Sequence, residues 1–79
     1  MARVLLFGRL SDIAGWHERP FEAASLSSLK RLIADQAPDL ATALDAPGVQ
    51  TAVDQIVVRG EAVLSEGAEV AFLPPMSGG

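Results

Sequence analysis

The sequence predicts an α+β domain in which a mixed sheet of about five strands packs on one main helix, followed by an extended tail. Three observations carry this. Apolar, strand-forming segments lie near both ends, at Arg3–Phe7 and Glu69–Leu73. One strong helical stripe lies between them, with Leu26, Leu29, Leu32, Ile33 and Ala37 recurring at spacings of three and four. The chain closes on Pro74-Pro75-Met76-Ser77-Gly78-Gly79, in which two residues fix the backbone and two lack a side chain.

Taken in order, Arg3–Phe7 is a first strand bounded by Gly8. Ser11–Gly15 fits a single helical turn with Ser11 or Asp12 as cap and Gly15 as stop, and His17–Glu22 returns as a second strand. Ser25 caps the main helix, and Pro38 ends it because the residue before a proline avoids helical geometry. A shorter helix over Asp39–Leu44 puts Leu40, Ala43 and Leu44 on one side before the Ala46-Pro47-Gly48 turn. Val49–Val58 reads as one strand region broken by Gly60. Glu61–Leu64 is a short segment before the Glu66-Gly67 turn, and Glu69–Leu73 is the last strand. The expected division is residues 1–73 as the folded domain and 74–79 as the tail.

Strand parity assigns residues to faces. Val4 and Leu6, Val70 and Phe72, and Ile56 and Val58 are expected to face the helix stripe. Leu5, Phe7, Ala71, Leu73 and Val57 then fall on the opposite face, where they form an exposed apolar patch next to the root of the tail. A contiguous patch of that kind marks a protein contact. Terminal strands side by side, with one helix crossing the sheet between hairpins, is the β-grasp arrangement of ubiquitin-like proteins.

A chain of 79 residues supports one domain with little room for an internal pocket. The composition is 49% hydrophobic and 20% charged, which argues for a packed globule over disorder. The net charge of −4, with Lys30 the only lysine, disfavours nucleic acid and suits a basic protein partner. No apolar stretch approaches membrane-spanning length, and the start is too short for a signal peptide, so a cytoplasmic location is expected. Without cysteine, the chain offers neither a disulfide, a thiolate metal site nor a thiol nucleophile.

The side chains offer no catalytic constellation. His17 is the lone imidazole and reads as a surface residue; proximity of Ser11, Asp12 and His17 in a turn does not make a triad. The carboxylates are scattered, and no metal site is expected. Trp16 and Phe21 read as core packing under a hairpin, with an interface as the other option. Ser77-Gly78-Gly79 has no following helix or lysine and is not a nucleotide loop. The remaining functional group is the carboxylate of Gly79. The prolines send the chain out extended, and six residues span about 20 Å, enough to reach a partner's active site. A bare Gly-Gly ending is also what a frayed terminus looks like, but the Pro-Pro pair and the strand before it count against that. A free carboxylate is a poor acyl donor; activation by ATP to an acyl-adenylate supplies a leaving group. A persulfide nucleophile would then leave a thiocarboxylate, so a chain without cysteine can still carry sulfur.

Val4-Leu5-Leu6-Phe7-Gly8 and the run Glu66–Gly79, ending Val70-Ala71-Phe72-Leu73-Pro74-Pro75-Met76-Ser77-Gly78-Gly79, resemble the MoaD family, the small sulfur-carrying subunits of molybdopterin synthase. The resemblance spans the chain in length and element order, and the last dozen residues are its specific part. It implies that Gly79 is adenylated by a ubiquitin-activating-like adenylyltransferase and sulfurated from a persulfide protein. Its thiocarboxylate would then donate sulfur to cyclic pyranopterin monophosphate inside a large catalytic subunit, in a heterotetramer. The chain would not be catalytic alone and would bind no cofactor, ATP being used by the activating enzyme. Gly78 would thread the partner's channel, with Ser77, Met76, Pro75 and Pro74 as further binding residues, and Phe7, Val57 and Leu73 match the family's partner-contacting positions. Two positions depart: the family often has Asn where Asp54 stands and Asp where Ala68 stands. Alternatives are a sulfur carrier for thiamine thiazole synthesis, a ubiquitin-like modifier joined to lysines through Gly79, or a plain interaction domain.

Overall fold

The computed structural model describes residues 1–75; Met76, Ser77, Gly78 and Gly79 lie outside the described residues. The chain runs β1 (Ala2–Leu6), α1 (Arg9–Ala14), β2 (Glu18–Phe21), α2 (Leu26–Gln36), α3 (Pro38–Leu44), β3 (Gln50–Val53), β4 (Ile56–Val58) and β5 (Glu69–Leu73). The strands form one five-stranded sheet in the order β2-β1-β5-β3-β4. Its centre is the parallel pair β1–β5, with Val4 opposite Val70 and Leu6 opposite Phe72; the other pairings are antiparallel. This is the β-grasp arrangement expected from the terminal strands and the single long helix.

The apolar stripe of α2 decides where the core lies. Leu26, Leu29 and Ile33 are buried against Val4, Leu6, Val70 and Phe72, and α3 adds Leu40 and Leu44. Phe72, Val4, Val70 and Leu29 have no solvent exposure. Ser25 caps α2 by accepting the Ser28 amide at 3.2 Å. The helix stops at Gln36 because Pro38 forces Ala37 out of helical geometry, and Pro38 itself opens α3 at a position where its missing N–H costs nothing.

Two local expectations are corrected. Helix α1 begins at Arg9 on a Gly8 cap, earlier than a Ser11 or Asp12 cap would allow. The Ser11 hydroxyl is spent inside the helix, donating to the Gly8 carbonyl at 2.8 Å. Val49–Val58 is not one strand but a hairpin, turned by Asp54 (φ 50°) and Gln55 (φ 71°). Two consecutive positive φ values are the signature of a two-residue hairpin turn, here made without glycine. Glu61–Leu64 forms no strand and contributes only an isolated bridge from Val63 to Ser25. Parity is right for Val58, which packs against the core. Ile56 shares that face through Val53 and Val70 yet is 69% exposed, because β4 is an edge strand beyond the cover of α2.

Candidate functional site

β5 delivers the chain to the end of the sheet where β1 finishes and β3 starts. Its last pairs are Leu6 with Phe72 and Gln50 with Leu73. Continuing both registers brings Gly8 beside Pro74 and Gly48 beside Pro75. Neither proline can donate to a ladder, so hydrogen bonding stops here while the backbones stay close. A Cβ built on Gly8 would lie 3.1 Å from Pro74 Cγ, and one built on Gly48 would lie 2.9 Å from Pro75 Cβ. Both glycines have positive φ, 57° and 88°. Gly48 follows Pro47 in a turn closed by the Val49 amide donating to the Ala46 carbonyl at 3.3 Å, and a type II turn requires that φ at its third residue. Local sequence marks these glycines only as a strand boundary and a turn; the register across three strands makes them the walls of the tail's root.

The face of the sheet turned away from α2 starts at this root. Leu5, Ala71, Ala52 and Val57 pair in one row across β1, β5, β3 and β4. Ala52 is buried but lies outside the core cluster, between Ala71 and Val57 on this second face. Phe7 is 45% exposed and Val57 51% exposed, while Leu73 is half-buried beside Pro74. The far end of the face is charged: Arg3 spans Glu69 at 3.0 Å and Glu18 at 3.6 Å. The face is therefore apolar next to the tail and ionic away from it.

The other polar features tie loops down. The Glu61 carboxylate accepts from the Ser27 hydroxyl at 2.5 Å, the Ser27 amide at 3.0 Å and its neighbour Ala62 at 2.9 Å. These donors, the Ser27 hydroxyl foremost, hold Glu61 below the usual carboxylate range. The carboxylate thus sits over the first turn of α2, where a helix favours negative charge. His17 is exposed, and its backbone carbonyl accepts from Leu6. Trp16 and Phe21 pack with ring centroids 5.9 Å apart and planes tilted by 43°, under Arg19, with Phe21 buried and Trp16 half-buried in the core. Among the described residues no three acidic or histidine side chains gather as a metal-binding group, and no helix is long and apolar enough to cross a membrane. A concavity of about 630 Å³ between α2 and β3–β4 has Lys30, Arg59 and Glu61 on its wall, together with Ser27, whose hydroxyl is held by the Glu61 carboxylate in the loop tie just described.

The sequence matches the ThiS family over residues 4–79. The chain belongs to the ThiS family. The molybdopterin synthase sulfur carrier subunit of Escherichia coli strain K12 is 32% identical over 81 aligned positions, which cover the whole of both chains. Two solved structures carry the same fold. Small archaeal modifier protein 1 from Methanosarcina acetivorans superposes with a TM-score of 0.86 at 23% identity, covering 99% of this chain and 95% of its own. The protein of that name from Haloferax volcanii gives 0.85 at 20% identity, covering 99% and 98%. The ubiquitin-like fold of this ThiS-family chain thus agrees with its sequence membership.

Proposed function

We propose that this ThiS-family chain carries sulfur for molybdenum cofactor assembly, on the carboxylate of Gly79. The observation that carries the reading is the 32% identity along the full length of both chains to a relative named as the molybdopterin synthase sulfur carrier subunit. The body docks through the apolar face at Phe7, Val57 and Leu73. Pro74 and Pro75 act as the spacer, Met76 and Ser77 follow them, and Gly78 threads the partner's channel, where it has no side chain to obstruct entry.

The chemistry balances as follows. A Gly79 carboxylate oxygen attacks the α-phosphorus of ATP and pyrophosphate leaves, giving an acyl-adenylate. The terminal sulfur of a donor persulfide attacks the carbonyl and AMP leaves; a thiol then cleaves the resulting S–S bond, is itself oxidised to a disulfide with the donor, and releases the thiocarboxylate. Within the large subunit this sulfur is transferred to cyclic pyranopterin monophosphate, and water restores the carboxylate. Catalysis belongs to the partners. The net charge of −4 suits a basic partner site, so association should slow as salt rises.

The test uses the chain bearing a Gly79 thiocarboxylate, mixed with a molybdopterin synthase large subunit and cyclic pyranopterin monophosphate. Molybdopterin should form, and a chain lacking Gly79 should form none while unfolding at the same urea concentration. If no molybdopterin appears but the thiocarboxylate supports thiazole synthesis, or the chain is found in isopeptide bonds on lysines, the carrier chemistry stands and the molybdenum assignment is wrong. A large loss of stability on removing Gly79 would make the tail structural and end the carrier reading.

A further inference from the structure

We infer that Gly8 and Gly48 are positioning residues, which hold the Pro74–Pro75 root in a slot free of side chains and so aim the tail that leaves it. The inference rests on the carrier reading above. It starts from a contrast among the glycines. Gly8, Gly15, Gly48, Gly60 and Gly67 all have positive φ, which alone would favour glycine. At Gly15, Gly60 and Gly67 an added Cβ would meet nothing within 4 Å. At Gly8 and Gly48 it would press on the tail: 3.1 Å from Pro74 Cγ, and 2.9, 3.2 and 3.6 Å from Pro75 Cβ, Cγ and Cα. Ordinary carbon contacts lie at about 3.5–4.0 Å.

What the glycines touch makes the contact directional. A proline ring is bonded to its own backbone at N and Cα, so it cannot rotate out of the way; displacing the ring displaces the chain. The two walls stand on the strands either side of β5, Gly8 just beyond β1 and Gly48 just before β3, so each blocks a sideways lean. Restoring ordinary contact at Gly48→Ala needs a shift of about 0.6 Å at Pro75. Over the roughly 3.8 Å between adjacent Cα atoms this is a tilt of about 9°. A tilt at Pro75 redirects the chain that leads to the reacting carboxylate of Gly79, four residues on. Misplacing a reacting group by about 1 Å can cost about 100-fold in rate.

The experiment compares Gly48→Ala with Gly15→Ala and Gly60→Ala, which place alanine at a similarly positive φ (82° and 80° against 88°) without touching the tail. Activation of the full-length chain by its ubiquitin-activating-like adenylyltransferase is followed by pyrophosphate exchange against carrier concentration. For Gly48→Ala, kcat should fall roughly tenfold or more with KM close to that of the controls, since the docking face is untouched. Its urea midpoint should match that of Gly60→Ala. Nuclear Overhauser contacts in the wild type should join the Gly48 α-protons to the Pro75 ring and those of Gly8 to the Pro74 ring. Equal kcat for Gly48→Ala and Gly60→Ala would overturn the inference, as would absence of the proline contacts, which also decides the matter if Gly48→Ala fails to fold. If the wild type itself is not activated, the carrier reading fails, while the Overhauser contacts still test the slot.

Discussion

Phe7 and Phe72 offer the same truncation at two depths, and replacing each with alanine separates the partner face from the core. Phe72 is wholly buried on β5 against the α2 stripe, so Phe72→Ala removes a core aromatic and should cost about 3–5 kcal/mol. Phe7 is 45% exposed. About half of the roughly 1.5–3 kcal/mol available from full burial is realised there, so Phe7→Ala should cost about 1 kcal/mol. A chain of this size has about 4–12 kcal/mol in all, so the first change consumes a large share of the stability and the second does not. With a urea slope of about 1 kcal/mol per molar, the midpoints should fall by about 3–5 M and about 1 M respectively. Binding to the large subunit should reverse the emphasis for the folded variant: Phe7→Ala should lose about 1–4 kcal/mol if Phe7 is a buried anchor. That is roughly fivefold to several hundredfold in Kd, measurable by calorimetry. If Phe7→Ala lowers the urea midpoint as far as Phe72→Ala at an unchanged slope, Phe7 belongs to the core and the face assignment is inverted. If neither stability nor affinity moves, Phe7 is no anchor.

Further changes test the remaining arguments. The depressed carboxylate of Glu61 contributes stability that is present above the ordinary carboxylate range and lost as pH falls through its lowered folded value. Glu61→Gln should therefore be less stable than the wild type in urea at neutral pH, with the gap closing in acid; a gap independent of pH would show that charge plays no part. Asp54 accepts the Glu69 amide at 3.0 Å from a φ of 50°. Asp54→Asn should be nearly neutral, since Asn keeps the acceptor and tolerates that backbone, whereas Asp54→Ala should cost about 2 kcal/mol from the lost bond and the strain together. Thermal melts that rank the two variants equally would contradict this. Val57→Asp, on an exposed edge of the apolar face, should leave the urea midpoint within about 0.5 M of the wild type yet abolish partner binding by gel filtration; retained binding would move the interface elsewhere.

Much of the β-grasp body was legible because its determinants are local. The α2 period, the Ser25 cap, the Pro38 stop and the two terminal apolar strands are written within a few residues each, and strand alternation assigned Val4, Leu6, Val70 and Phe72 to the core. The hairpin at Asp54-Gln55 was not legible, since those residues lack the glycine that announces such turns, and its conformation is held by β5 through the Asp54 and Glu69 backbone and side-chain bonds. The exposure of Ile56 followed from sheet order, which parity does not contain. The same distinction runs through the site. Composition and the Pro-Pro-x-Ser-Gly-Gly ending alone directed attention away from side-chain catalysis and toward the tail, because a chain without cysteine, with one histidine and scattered carboxylates, has little else to react with. That Gly8 and Gly48, forty residues apart in the chain, flank Pro74 and Pro75 was decided only when β1 and β3 took their registers on β5. Steric contact depends on distance in space, and no local pattern of residues encodes it.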